Sequence, residues 1–208
     1  LKAKVSQGFV EVQGCKVHYR SWGTIGLPGI VLIHGSNAHL EWWRFVAPFL
    51  ADQFRVVALD LSGHGDSGWR STYSGSLFAQ EVMAVCEAAH LGDKPFIVAH
   101  SFGGFVGLET GHHFGEKLGG IIFADFTVEP PERYIEWGKK ADQRGGEPAR
   151  ATRIYPAEDE ALARFRLIPE QPCQHAFVVD FIARQSLRAV TGGVTWKFDP
   201  GLFDFLEM

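Results

Sequence analysis

Residues 95–104 read PFIVAHSFGG, a short apolar run followed by a serine that has small residues two positions before and two positions after it. The apolar run predicts a strand over 95–99 that is buried on both faces of a parallel sheet. Ala99 and Gly103 allow a tight strand-to-helix turn to pass close to its neighbours. Such a turn holds the hydroxyl of Ser101 at the carboxyl edge of the sheet, where open parallel sheets bind their ligands. Ser101 is therefore the predicted nucleophile.

The chain around this turn alternates between strands and helices, which predicts an α/β fold with a mostly parallel, doubly wound sheet. Residues 129–194 carry no buried strand of this type and offer only helical pieces, over 158–165 and 176–187, so we expect a helical cap over the site. The other predicted elements are a hairpin over 9–22, strands over 30–33, 54–59 and 120–124, and helices over 40–50, 78–89 and 102–114.

Two backbone N–H groups are predicted to form an oxyanion hole beside Ser101. The N–H of Phe102 lies at a helix N-terminus, where it can donate to a developing negative charge. The strand over 30–33 ends in His34, Gly35, Ser36 and Asn37, next to the turn. The second donor is expected to be Ser36, with Asn37 as the second choice, and His34 is expected to hold the loop rather than to act as a base.

The strand over 54–59 ends in a segment, 60–67, that combines glycines with Asp, Ser and His side chains. Such a segment predicts a compact turn, since Asp and Ser side chains bond nearby backbone groups. The alternative is a metal site formed by Asp60, His64 and Asp66. The turn explains these residues without an ion. We therefore predict that the protein needs no metal and no cofactor.

The segments His34-Gly35, 60–67 and 99–104, in this order and spacing, resemble those of the α/β-hydrolase fold superfamily. The stretch 193–200 is similar to the return from the cap in lipase-like and dehalogenase-like members. The resemblance implies an eight-stranded sheet, a helical cap and a Ser-His-acid triad. It divides the chain into an N-terminal part of the core (1–127), a cap (128–195) and a return segment (196–208). The last two strands and the triad histidine would follow Met208, which leaves the strand over 120–124 as an apolar edge.

The triad acid has two candidates. Asp125 follows the strand over 120–124, as the acid does in some haloalkane dehalogenases; the alternative is a residue after the next strand of the family. For the base, His112 and His113 lie more than about 15 Å along a helix from Ser101. His39, His64 and His175 lie nearer to the carboxyl edge or in the cap, but no motif supports any of them.

The serine excludes relatives that use an aspartate nucleophile, such as haloalkane dehalogenases and most epoxide hydrolases. What remains is hydrolysis of an ester or related acyl bond, with carbon–carbon bond hydrolysis and cofactor-free haloperoxidation as alternatives. A ligand-binding protein on the same scaffold and an inactive fragment also remain open. Asn37, Trp42, Trp43 and Phe126 are the predicted pocket residues. Together with the aromatic cap residues they indicate an apolar or aromatic substrate, although core packing would explain many of the rings. Those cap residues are Tyr134, Trp137, Tyr155, Phe165, Phe177, Phe181 and Trp196.

The composition excludes several classes of partner. The 208 residues carry a net charge of −4, which argues against nucleic acid as a ligand. No apolar run approaches the roughly 20 residues that cross a bilayer, so no membrane association is expected. Cys15, Cys86 and Cys173 are odd in number and widely spaced, which indicates free thiols in a reducing cytoplasm. The expected partner is a small-molecule substrate, and a homo-oligomer stays open.

Overall fold

The computed structural model describes residues 5–130, 132–133 and 151–207. Its centre is a six-stranded sheet with the strand order β1-β2-β4-β3-β6-β7. The first two strands pair antiparallel with their neighbours, and β4, β3, β6 and β7 pair in parallel. This confirms the predicted mostly parallel α/β sheet. The strands are β1 (Val5–Val12), β2 (Cys15–Trp22), β3 (Gly29–Ile33), β4 (Arg55–Leu59), β5 (Tyr73–Ser74), β6 (Phe96–His100), β7 (Gly120–Ala124), β8 (Leu187–Val190), β9 (Gly193–Trp196) and β10 (Leu206–Glu207).

Helices pack against both faces of the sheet, because alternate residues of each parallel strand are apolar on opposite sides, although Ile122 of β7 is 58% exposed. On one face, Val31 and Ile33 join Phe78 and Val82 in the larger core cluster. On the other face, the neighbouring strand residues belong to a second cluster that also contains Leu40 and residues of α1. The helices are α1 (Ala47–Leu50), α2 (Gly75–Ala88), α3 (Phe102–Phe114), α4 (Glu158–Leu162) and α5 (Ala176–Gln185), with 3-10 helices at Leu40–Phe45 and Gly115–Lys117.

The segment 40–50 was predicted as one helix, and the structure divides it. Leu40–Phe45 forms a 3-10 helix, and α1 starts only after Val46. Pro48 lies in the first turn of α1. Because proline has no backbone N–H, it cannot continue a preceding helix, but it is well suited to the first turn of a new one. The single-helix prediction was therefore wrong.

The region between β7 and the return segment contains an antiparallel hairpin that the sequence did not predict. β8 pairs with β9, and Val190 faces Gly193 at the turn. Gly192 and Gly193 both have positive φ, at 92° and 143°. These are conformations that side chains rarely adopt. The helices α4 and α5 agree with the predicted helical pieces, whereas Leu187 belongs to a strand rather than to the helix predicted over 176–187.

The return segment is held against the loop that follows β4. Gly65 donates a backbone hydrogen bond to Lys197 at 2.7 Å, and Asp199 donates one to Gly63 at 2.7 Å. The hydroxyl of Tyr73 donates to the carboxylate of Asp199 at 2.6 Å. Farther along, β10 pairs in parallel with β5. The boundaries predicted at residues 127 and 195 stay predictions.

Candidate active site

Ser101 lies on a sharp turn between β6 and α3. It precedes the first helical residue and has φ 51° and ψ −121°, a strained backbone conformation for a residue with a side chain. A Cβ atom on Gly103 would lie 2.6 Å from the His34 carbonyl oxygen and 2.8 Å from that of Ile33. Because both contacts are with backbone atoms, position 103 has no space for a side chain. The turn predicted from the sequence is formed in this way.

Asp125 occupies the equivalent position on the neighbouring strand. His100 and Ala124 are paired across β6 and β7, so Ser101 and Asp125 are the next residues on two adjacent parallel strands. The N–H of Ser101 donates to the Ala124 carbonyl at 3.0 Å. Asp125 is exposed and also has a positive φ, of 51°. Neighbouring strands are about 4.8 Å apart, so the two side chains leave the sheet at the same edge.

The loop after β3 packs directly against the turn. A Cβ atom on Gly35 would lie 3.2 Å from the Cβ of Ser101. Neither Ser36 nor Phe102 donates a hydrogen bond from its backbone N–H to any residue that the structure describes. The positive end of the α3 dipole adds to the field at this point. Both N–H groups are therefore free within the described residues: Phe102 follows Ser101 in the chain, and Ser36 follows the glycine that packs against the Cβ of Ser101.

His34 uses both ring nitrogens to join two loops. Its Nδ1 lies 2.7 Å from the Gly35 carbonyl oxygen, and its Nε2 lies 3.1 Å from the N–H of Leu61. Because the N–H of Leu61 can only donate, Nε2 must accept and Nδ1 must carry the proton. Burial lowers the pKa of His34, so the ring is neutral near pH 7. These contacts agree with the predicted structural role of this residue.

Asp60 is the centre of the compact turn. Its carboxylate accepts from the N–H of Leu40 at 2.7 Å and of Asp66 at 2.9 Å, and it lies 2.8 Å from Nδ1 of His18. Burial opposes its ionisation, but the hydrogen bond from His18 and the nearby His39 and His34 lower the pKa of Asp60 to about 2. The carboxylate is therefore ionised and well bonded, as the prediction of a compact turn requires.

The predicted alternative was a metal site of Asp60, His64 and Asp66, but the structure places a different histidine beside the two acidic residues. Ligand-type atoms of His18, Asp60 and Asp66 lie within 4.8 Å of one another, whereas His64 turns its Nδ1 towards the Ser62 carbonyl at 3.4 Å. The Lys197 ammonium pairs with Asp66 at 2.8 Å. Each of these acidic side chains thus has donors of its own, and the site fits a polar turn better than an ion site.

The other histidines that lie near this edge are engaged elsewhere. His39 is buried, and its Nε2 lies 2.9 Å from the Ser186 hydroxyl. His64 is buried against His34 and Phe102, at ring-centroid distances of 4.9 and 6.2 Å. Burial lowers the pKa of His39 to about 4 and that of His64 to about 3. Among the described residues, no histidine hydrogen-bonds the hydroxyl of Ser101.

The predicted pocket residues differ in their surroundings. Phe126 packs over the start of α3, where a Cβ atom on Gly104 would lie 2.2 Å from its ring. Asn37 is exposed with φ 55°. Trp43 packs against the second core cluster, and the indole N–H groups of Trp42 and Trp43 are buried without a hydrogen-bond partner in the described part of the chain. The pocket role of all four residues stays a prediction.

Most of the cap rings that can be described pack against one another or against the core. Trp196 contacts Tyr155 and Phe165, with centroid distances of 6.1 and 6.2 Å. Phe45 of the 3-10 helix contacts Phe177 and Phe181 of α5, at 5.9 and 5.3 Å. These contacts favour the packing interpretation of the aromatic cap residues. Tyr134 and Trp137 lie outside the described residues.

Sequence reasoning missed the partners that come from distant parts of the chain. His18 bonds Asp60 across 42 residues, and Ser186 bonds His39 across 147. No local pattern marks either pair. The Gly192-Gly193 pair did offer a turn signal for the β8–β9 hairpin.

Comparison with known proteins identifies the family. Residues 28–171 match the α/β hydrolase fold family, and the chain belongs to it. A stretch of 133 residues is 33% identical to the dihydrolipoyllysine-residue acetyltransferase component of the acetoin cleaving system of Cupriavidus necator, covering 64% of this chain and 31% of that protein. A stretch of 140 residues is 29% identical to a haloalkane dehalogenase of Sphingobium indicum, covering 65% and 45%.

The solved structures agree on the fold. The thioesterase domain from the curacin biosynthetic pathway aligns with a TM-score of 0.72 at 24% identity, over 95% of this chain and 70% of that one. The chain spans less than half the length of the two curated relatives named above, 31% and 45%. In the part of the chain that the structure describes, no helix has the length and apolar character needed to span a bilayer.

Proposed function

We propose that the protein is a serine hydrolase that cleaves an ester or related acyl bond of a small apolar or aromatic substrate. The observation that carries this proposal is the backbone at Ser101, which is held at φ 51° between a strand and a helix and has Gly103 packed against the backbone of β3. Strain of this kind persists only where the surrounding structure enforces it, and it is typical of functional positions.

In the proposed reaction, the hydroxyl of Ser101 attacks the substrate carbonyl carbon and forms an acyl-enzyme. The free N–H groups of Phe102 and Ser36 stabilise the negative oxygen that develops on the carbonyl. A histidine removes the hydroxyl proton and returns it to the leaving alcohol, and Asp125 orients that histidine. Water then releases the acid by the same steps.

The identity of this histidine stays open, but three histidines near the site do not fit the role of base. His34, His39 and His64 are buried, and their ring nitrogens bond other groups. The low pKa values of His39 and His64 also make both imidazoles weak bases.

The names of the relatives support hydrolysis but include different nucleophile chemistries. Matches include an esterase that acts on a pimeloyl-[acyl-carrier protein] methyl ester, from Edwardsiella ictaluri, and a soluble epoxide hydrolase from a Corynebacterium strain. A serine at position 101 favours acyl transfer over the aspartate chemistry of dehalogenases and epoxide hydrolases. A small-molecule substrate and a cytoplasmic location belong to the same proposal.

Mass spectrometry of the full-length protein treated with a fluorophosphonate probe tests the proposal. We expect one adduct, on the peptide that contains Ser101, and no adduct in the Ser101→Ala variant. Ser62→Ala is unsuitable as a control because Ser62 belongs to a buried network, whereas the exposed Ser71→Ala variant should label like the wild type. A folded wild type that stays unlabelled would favour a ligand-binding protein without turnover.

A further inference from the structure

The peptide bond between Gly35 and Ser36 carries one of the two proposed oxyanion donors. Its carbonyl oxygen, on Gly35, accepts from Nδ1 of His34 at 2.7 Å and from the N–H of Ala38 at 3.3 Å. Since a trans peptide is planar, its C=O and N–H point in opposite directions. Any group that fixes the Gly35 carbonyl therefore also fixes the direction of the Ser36 N–H.

We propose that His34 is a positioning residue that holds the Gly35–Ser36 peptide with the Ser36 N–H directed at the substrate oxygen. This inference rests on the proposed function of Ser101. It gives His34 a role in the rate of the reaction, beyond joining the loop to the sheet. His34 itself does not touch the reacting atoms.

The surroundings of His34 define its orientation. The ring is 1% exposed, so water does not replace its hydrogen bonds. The N–H of Leu61 donates to Nε2 at 3.1 Å and thereby places the ring proton on Nδ1, where it faces the Gly35 carbonyl. Leu61 is itself buried in the larger core cluster. A rigid part of the core therefore determines the tautomer, and the tautomer orients the peptide.

Loss of the His34 donor would leave the Gly35–Ser36 peptide free to flip. Without a donor at Nδ1, the Gly35 carbonyl keeps only the longer bond from Ala38, at 3.3 Å. Gly35 also lacks a side chain that would restrict rotation of the peptide. A flipped peptide would direct a carbonyl oxygen instead of an N–H at the developing negative charge, which removes one donor and adds repulsion.

Substitution of His34 by Asn or by Gln tests its two hydrogen bonds separately. Asn places its amide nitrogen three bonds from Cα, as Nδ1 of His is, so His34→Asn can still donate to the Gly35 carbonyl. Gln places its amide oxygen four bonds from Cα, as Nε2 of His is, so His34→Gln can still accept from Leu61 but loses the donor to Gly35. His34→Asn thus keeps the bond to Gly35 and loses the bond from Leu61, and His34→Gln does the reverse.

The experiment compares kcat and KM for a p-nitrophenyl ester in the full-length protein. We expect His34→Gln to lower kcat about 100-fold, with KM changed by less than about threefold, because an oxyanion donor acts in the transition state. We expect His34→Asn to recover at least about tenfold of that loss. The exposed His112→Gln, on the same helix as the turn, serves as the matched control. Thermal unfolding and titration of active sites with the fluorophosphonate correct each rate for folded protein.

The outcomes separate the two proposals. Equal losses of kcat in the Asn and Gln variants would overturn the positioning role, because the bond to Leu61 would then matter as much as the bond to Gly35. A proton on Nε2 of His34 in the 15N spectrum of the wild type would overturn it without any variant. A wild type in which Ser101 does not react with the fluorophosphonate would overturn the proposed function and this role with it.

Discussion

The carboxylate of Asp60 joins three segments of the chain, since its donors are Leu40, Asp66 and His18. In Asp60→Asn, one oxygen becomes an amide NH2 that faces donors. We expect the free energy of unfolding to fall by about 2–4 kcal/mol, because a buried donor then lacks an acceptor. Urea denaturation at pH 7 measures this. The exposed Asp52→Asn should change stability by less than about 0.5 kcal/mol, and equal losses in the two variants would contradict the prediction.

Asp60 also predicts how the protein responds to acid. Its pKa in the folded state, about 2, is below the ordinary value of 3.8. A lowered pKa means that the carboxylate contributes stability above pH 4 and that this contribution is lost as the pH falls towards 2. In Asp60→Asn, the loss of stability between pH 4 and pH 2 should be smaller by about 2 kcal/mol. Urea titrations at both pH values compare the variant with the wild type.

The role of Asp125 as the acid of the proposed triad can be tested by a single substitution. If its carboxylate orients the catalytic histidine, Asp125→Asn in the full-length protein should lower kcat by about 10⁴-fold while the protein stays folded. Steady-state kinetics with a p-nitrophenyl ester measures this. A loss of less than about tenfold would remove Asp125 from the triad and favour an acid after a later strand.

At the scale of single residues, the sequence predicts the positions that are marked by a pattern of neighbouring residues. The tight turn at Ser101 could be predicted because it requires small residues at fixed offsets, Ala99 and Gly103. The contact between His18 and Asp60 could not, because it depends on where β2 places a side chain relative to a loop 42 residues away. No propensity or spacing encodes such a pair.

At the scale of elements, replacing glycine by alanine is expected to have opposite effects on stability inside α3 and just after it. Gly103→Ala would place a Cβ atom 2.6 Å from the His34 carbonyl, so the helix must move away from β3. We expect a loss of about 2–4 kcal/mol in the free energy of unfolding. At Gly115, just after α3, φ is −52° and nothing lies within 4 Å of an added Cβ. Gly115→Ala should therefore stabilise the protein by about 0.4–1 kcal/mol.

Thermal unfolding of the two variants checks this pair of predictions. A Gly103→Ala protein as stable as the wild type would mean that α3 can shift without cost, and the tight turn at Ser101 would lose its structural explanation. Reactivity of Ser101 with the fluorophosphonate should fall in Gly103→Ala and stay unchanged in Gly115→Ala.

The bounds of the elements show which signals are reliable. The predictions of α3 and β7 are confirmed residue by residue, because glycines mark where each begins or ends. The helix predicted over 40–50 was wrong because Pro48 interrupts the hydrogen-bond pattern while the apolar spacing continues. The β8–β9 hairpin was missed because its four-residue strands are too short for a clear alternation.

At the scale of the whole molecule, the contact between His39 and Ser186 links the loop after β3 to the region that follows β7. The Ser186 hydroxyl donates to the Ile182 carbonyl at 2.8 Å and lies 2.9 Å from Nε2 of His39. Ser186→Ala leaves the buried ring N–H without an acceptor, so we expect a loss of about 1–3 kcal/mol. Chemical denaturation measures it against the exposed Ser71→Ala. A variant as stable as that control would show that the link contributes nothing.

Buried neutral histidines make the folded protein sensitive to mild acid. The pKa of His39 is lowered from 6.5 to about 4 by burial. Its contribution to stability is therefore complete above pH 6.5 and decreases as the pH falls towards 4. Between pH 7 and pH 5 we expect His39 to account for a loss of about 2 kcal/mol. His39→Gln keeps a group that can bond Ser186 but does not titrate, so its stability should change less over the same interval.

The two ends of the segment between β7 and the return segment are each attached to the core. Ser101 bonds Ala124 at the entrance, and Gly65 and Asp66 bond Lys197 at the exit. Closing a longer loop between fixed ends costs only about 0.6 kcal/mol for each doubling of its length. Insertions, deletions and exchanges between these anchors can therefore accumulate during evolution without unfolding the sheet. A lineage can change this segment while the strained turn at Ser101 and the loop after β3 are inherited unchanged.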